Sequence, residues 1–225
     1  MISRDPAAQL DAAATTCGTE CSRAQSALIA AAENKDYPAE IALVLSNRAD
    51  AGGLLVAQSE GAVTEVIEHT AFGKDRAAFD AAMQAVLLKH KIDIVCLAGF
   101  MRLLTPGFVA QWPLRMLNIH PSLLPALKGL DTHKRALETS AAVHGATVHF
   151  VTAELDSGPV IVQAAVAVQK DDDESILAVR VLKQEHRIYP LALKLVAEGR
   201  VRVENGRCCV DGVAVPSSAS LVPSA

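Results

Sequence analysis

Short apolar runs alternating with helix-period segments place this chain in the α/β class. The expected architecture is a single domain with a mostly parallel, Rossmann-like sheet and helices on both faces. Three observations carry that expectation. "IALVLS" (41–46) and "IDIVCLAGF" (92–100) are near-continuous apolar runs, as strands buried on both faces require. Between them "DRAAFDAAMQAVLLKHK" (75–91) sets Phe79, Met83, Val86, Leu87 and His90 on one helical stripe. Strand-like and helix-like segments then continue to alternate, which leads to parallel pairing through helical crossovers. The 225 residues, 51% hydrophobic and 20% charged, suit one core of ordinary size.

From the amino end, "PAAQLDAAA" (6–14) is alanine-rich and suits a short helix better than a strand. Residues 1–17 hold no apolar run able to form a central strand, so residues 1–24 are expected to be an atypical segment, poorly ordered or helical. A single domain should span 25–212, followed by a flexible Ser/Pro/Ala-rich tail over 213–225. After "IALVLS", "TEVIEH" (64–69) reads as a more exposed strand, and the helix over 75–91 leads into the central strand "IDIVCLAGF". "TPGFVAQWP" suits a short helix with proline in its first turn. Strand "MLNIH", helix "THKRALETSA", and strands "ATVHFVT" and "PVIVQAAVAV" follow. A long helix covers 174–198, with a bend expected near Pro190, and Asn-Gly in "RVRVENGRCCVDG" marks a hairpin.

A net charge of −4 and a pI near 6.0 argue against a nucleic-acid partner. The sequence lacks the roughly 18 consecutive apolar residues of a membrane span, and the first twenty residues lack the apolar core of a signal peptide, so a cytoplasmic setting is expected. The five cysteines, Cys17, Cys21, Cys96, Cys208 and Cys209, do not form a zinc-binding pattern, and no metal is expected. "DDDE" (171–174) reads as a solvated loop ahead of a helix.

The chemistry gathers around "NIHPSLLP" (118–125). Asn118 and His120 stand two apart on a strand and face the same side, and Pro121, lacking an N–H, ends the ladder. A hydrogen-bonding amide beside a titratable imidazole at a strand end makes a catalytic edge; the alternative is a core histidine satisfied by a neighbour. "HGATVHFVTAELDSGPVIVQ" (144–163) places Glu154 and Asp156 in a turn between two strands, both expected beside the Asn118 strand. Asp156 could serve only the turn. Beside His120 it would instead stabilise an imidazolium. An acid, an orienting anion and an amide donor suit acyl-type transfer, in which an oxyanion develops and a proton is delivered. With no Ser or Cys elbow motif, direct transfer between two bound substrates is expected.

"LAGFMRLLTPGFV", "RMLNIHPSLLPALKGLDTHKRALETSAAVHGATVHFVTAELDSGPVIVQAAVAV" and "RVLKQEHRIYPLALKLVAEGRV" together resemble the phosphoribosylglycinamide formyltransferase family, over roughly 25–212. "NIHPSLLP" marks formyltetrahydrofolate enzymes in general, while "HGATVHFVTAELDSGPVI" with "QEHRIYPL" is more specific. The resemblance implies transfer of a formyl group from 10-formyltetrahydrofolate, as co-substrate, to the amine of glycinamide ribonucleotide in purine synthesis. It implies His120 as general acid, Asp156 holding it protonated, and Asn118 binding the formyl oxygen. Arg76, Met101, Arg102, Leu103, Leu104 and Asn118 would contact the folate, and Glu185 the ribose hydroxyls. On sequence alone Arg76 also reads as an ordinary first-turn helix residue and Glu185 as a solvated helix glutamate. Small-molecule substrates are the expected partners, and monomer and homodimer stay open.

The chain departs from the family pattern at two places. Asp131 stands where the family usually has histidine. The "GxGSN"-type loop that cradles phosphate is replaced in "CGTECSRAQSALIAAA", with Ser22, Arg23 and Ala24 where Gly-Ser-Asn would fall. A folate-binding chain with impaired catalysis, and a formyltetrahydrofolate deformylase, are the alternative readings.

Overall fold

The computed structural model describes residues 9–16 and 22–214. Seven strands form one sheet: β1 (Leu10–Thr16), β2 (Ala39–Ser46), β3 (Thr64–Val66), β4 (Ile94–Leu97), β5 (Met116–His120), β6 (Val143–Phe150) and β7 (Val160–Ala167). Their order is β3-β2-β1-β4-β5-β6-β7. Pairing is parallel from β3 through β5, while β6 runs antiparallel to β5 and β7 antiparallel to β6. Of the two strands expected beside β5, only β6 pairs with it; β7 takes the outer edge. The helices are α1 (Ser22–Ala32), α2 (Gly52–Ser59), α3 (Arg76–Lys89), α4 (Pro106–Val109), α5 (Thr132–Glu138) and α6 (Glu174–Ala197).

The sheet separates two cores. Ile94 and Cys96 of β4 join α1 and α6 residues such as Leu28, Val181 and Leu193 on one side. Val95 and Leu97 join Phe79, Met83 and Leu87 of α3 on the other. This alternation is why β4 is apolar at every position, since each face of a central strand meets a layer of helices. α3 starts at Asp75, whose side chain accepts from the Ala78 N–H, and α4 starts at Thr105 with Pro106 in its first turn. α6 continues across Pro190, whose carbonyl accepts from the Tyr37 hydroxyl. β8 (Val201–Glu204) and β9 (Arg207–Val210) form the expected hairpin, with Asn205 and Gly206 both at positive φ, and β10 (Val213–Ala214) adds a third strand.

The amino-terminal expectation is corrected. Residues 10–16 form a central strand between β2 and β4, not a helix or loose coil. Leu10, Ala12 and Ala14 join the core on the α1 side, and Ala13 joins the α3 side. Alanine's helix preference amounts to less than about 1 kcal/mol per residue, whereas each buried backbone group left unpaired on β2 and β4 costs about 1–3 kcal/mol. Ladder bonds on both edges therefore override the local preference. The remainder of the predicted segment, residues 1–8 and 17–21, lies outside the described residues.

Candidate active site

β5 presents the central pair. Leu117 and Ile119 turn into the α1-side core, and Met116 joins the α3-side core, so Asn118 and His120 share the Met116 face. Beyond His120 the ladder stops at Pro121, and the chain folds back: Ser122 N–H donates to the His120 carbonyl at 2.8 Å. The Thr132 hydroxyl at the start of α5 donates to the Pro121 carbonyl at 2.6 Å. These bonds fix the chain on either side of the loop 121–131.

That loop meets His120 and Asp156 together. His120 Nε2 lies 3.0 Å from the Leu127 carbonyl. Gly129 N–H donates to Asp156 Oδ2 at 2.9 Å, and the same oxygen stands 3.5 Å from His120 Nδ1. Both ring nitrogens thus face oxygen acceptors, the longer contact lying at the outer edge of hydrogen-bond range. The loop holds this shape through left-handed backbone at Leu127, Gly129 and Asp131, and through Arg135, whose guanidinium donates to the Lys128 and Leu130 carbonyls. Lys128 donates to the Ser157 hydroxyl and ties the loop to the turn that carries Asp156. His120 and Asp156 are both buried, so water screens their interaction little.

A third group completes the cluster. His149 on β6 pairs across the ladder with Asn118, and its Nε2 stands 3.2 Å from Asn118 Nδ2. Its Nδ1 lies 2.9 Å from the Phe150 carbonyl. Burial pushes the His149 imidazole below its ordinary pKa. Two residues earlier, the Thr147 hydroxyl donates to the Ser122 carbonyl and accepts from Leu124 N–H and Gln163 Nε2. Thr147 and His149, opposite His120 and Asn118 in the ladder, thus line the same sheet face with hydrogen-bond partners of their own.

A formyl transferase model matches residues 16–193, more than three quarters of the chain. The chain belongs to the formyl transferase family. It is similar to the phosphoribosylglycinamide formyltransferase of Escherichia coli, with 44% identity over 190 residues, covering 84% of this chain and 89% of that protein. It also matches the human trifunctional purine biosynthetic protein adenosine-3 at 48% identity over 184 residues, spanning 81% of this chain and 18% of that much longer protein. Among solved structures, glycinamide ribonucleotide transformylase 1 from Symbiobacterium toebii superposes with a TM-score of 0.86 at 41% identity, covering 90% of this chain and 94% of that one.

The other sequence-predicted residues of this formyl transferase lie after β4 and on α3, α6 and α1. Leu97 of β4 pairs in register with Asn118, so the segment that follows β4 leaves the sheet beside the catalytic candidates. It carries Met101 and Leu103, both exposed, and Leu104, which packs on the α3-side core. Arg102 lies between them, its guanidinium 4.8 Å from the Phe79 ring centre. Arg76 is exposed in the first turn of α3. Glu185 sits on α6, one turn before Tyr189, whose hydroxyl donates to the Leu97 carbonyl at 2.8 Å. Glu185 is not a solvated helix residue: it is partly buried, and that burial pushes its carboxyl up to about 7. Ser22 and Arg23 open α1, and Ala24 is buried on it.

Sequence reasoning missed His149 and the Leu127–Gly129 backbone. "TVHF" carries the alternation that puts Thr147 and His149 on one face, but the strand register that sets His149 opposite Asn118 is not written locally.

Proposed function

We propose that this formyl transferase moves the formyl group of 10-formyltetrahydrofolate to the amine of glycinamide ribonucleotide, by direct transfer. The observation that supports this most is the convergence of Asn118, His120 and Asp156 where β5 runs out. The substrate amine attacks the formyl carbon, and its carbonyl oxygen becomes an oxyanion. Asn118 donates an amide N–H to that oxygen. With Nδ1 turned to Asp156, His120 delivers its Nε2 proton to the folate nitrogen as the carbon–nitrogen bond breaks, exchanging the Leu127 carbonyl for substrate. The attacking amine gives up one proton as its amide forms, which restores the imidazolium, so the transfer is balanced without a third reactant. Met101, Arg102, Leu103 and Leu104 form the folate side together with Arg76, and Glu185 accepts from the ribose hydroxyls. The impaired-catalysis alternative rests on the replaced phosphate loop at Ser22, Arg23 and Ala24, and residues 17–21 just before it lie outside the described residues.

The test is formyl transfer followed with both substrates, for the parent, His120→Ala and Asp156→Asn. Each variant is expected to lower kcat by about 10²–10⁴-fold. Near-normal turnover of a folded His120→Ala variant would overturn the assignment. Release of formate from the folate at the same rate without nucleotide would mark a deformylase instead.

A further inference from the structure

His149 has no part in the steps above, yet it is 2% exposed and sits directly opposite Asn118 on the antiparallel β5–β6 pair. Residues opposed in this way present their side chains on one face. Each of its ring nitrogens has one identifiable job. Nδ1 is 2.9 Å from the Phe150 carbonyl, which only accepts, so Nδ1 carries the proton. Burial lowers the imidazole pKa, so the ring is neutral at neutral pH and Nε2 offers only a lone pair. That lone pair stands 3.2 Å from the side-chain nitrogen of Asn118.

A carboxamide can be turned by half a rotation with little change in shape, exchanging its NH₂ for its oxygen. Against a bare lone pair only one of the two orientations is favourable. The NH₂ must face His149, because the oxygen there would set lone pair against lone pair. The same logic applies to Asp156, whose Oδ1 lies 3.8 Å from His149 Nε2. A neutral Nε2 has no proton to give that oxygen, which leaves Asp156 to Gly129 and His120.

We propose that His149 is a positioning residue, a neutral acceptor that locks the Asn118 carboxamide so that its second N–H faces the formyl oxygen. The backbone carbonyl of Phe150 selects the His149 tautomer, and that tautomer selects the amide orientation. His149 touches no reacting atom and acts only through Asn118. This rests on the reading of Asn118 as the oxyanion donor. A preset donor costs no reorientation when charge develops, whereas a free amide presents its oxygen to the oxyanion in the wrong orientation.

A double-mutant cycle on the full chain with both substrates tests it, using Asn118→Ala, His149→Leu, His149→Gln and the Asn118→Ala/His149→Leu pair. One oxyanion donor is worth about 10²–10³ in kcat, and His149→Leu, which keeps bulk but loses the acceptor, should forfeit about 10–10² of it with KM nearly unchanged. His149→Gln, whose side-chain oxygen can accept, should restore most of the loss. In the Asn118→Ala background, His149→Leu should cost less than about twofold, because nothing remains to position. An equal loss in both backgrounds, or none in either, overturns the proposal and leaves His149 a packing residue. Near-normal kcat in Asn118→Ala would instead overturn the oxyanion role of Asn118 itself. Thermal unfolding accompanies every variant, and if His149→Leu does not fold, the cycle is run with His149→Asn, too short to reach Asn118.

Discussion

Replacing Glu185 with glutamine isolates the cost of placing a carboxyl beside the sheet. Glu185 shares its stretch of α6 with the buried Val181, Ile188 and Tyr189, and burial raises its carboxyl from an ordinary 4.5 to about 7. The folded chain therefore binds this proton more tightly than the unfolded chain. Between those two values the native state holds the extra proton, so stability falls as pH rises through the window. Below 4.5 both states are protonated and the stabilising contribution is fully present; above about 7 it is gone. At about 1.4 kcal/mol for each tenfold change in proton affinity, the full effect reaches up to about 3 kcal/mol. Glu185→Gln is neutral at every pH and nearly the same shape. Urea unfolding of both proteins, side by side at pH 4, 5, 6, 7 and 8, should show similar stability at pH 4. The variant should gain progressively, to a plateau near pH 8. A difference that stays flat across the series would refute the desolvation of Glu185. If the carboxylate also accepts from the ribose, the variant should bind glycinamide ribonucleotide more weakly while folate affinity holds, as titration calorimetry would report.

A methyl group added at Gly158 would run into the Phe150 carbonyl and crowd Thr152, so Gly158→Ala should disturb the turn that carries Asp156. We expect a loss of about 2–4 kcal/mol, from the strain of forcing an atom into packed backbone, read as a lower Tm; an unchanged Tm would contradict that packing. Ala13 is fully buried in β1 on the α3 side. Ala13→Asp should cost several kcal/mol, because a charge placed there has no designed partner, and thermal unfolding that matches the parent would argue against β1 as a central strand.

Much of the architecture could be read along the chain because strong local signals agreed with the tertiary outcome. The unbroken apolar run around Ile94 needed two covering layers, and it has them. Asn205-Gly206 dictated the β8–β9 hairpin through its preference for positive φ. α2 went unread, since its opening Gly52-Gly53 carries a loop signature that packing of Leu54 and Ala57 overrides. β1 was misread for the converse reason, because a run of alanines says helix until two neighbouring strands demand its backbone. Asn118, His120 and Asp156 were legible as residue types at fixed spacing and from the family resemblance. His149 was not, because its partner is 31 positions away and only the β5–β6 register brings them together.

By itself, then, the sequence determined the period of each strong element, the amide and imidazole on one strand face, and an acidic turn to set beside them. Those properties are local, arising from backbone geometry within a few residues. The tertiary structure alone decided that a weak alanine strand would lie at the centre of the sheet, that burial would raise the Glu185 carboxyl, and that the Leu127 carbonyl and Gly129 N–H would clasp His120 and Asp156. Hydrogen-bond satisfaction and desolvation depend on which groups are brought together in space and on what water they displace, and no stretch of the chain contains that information alone.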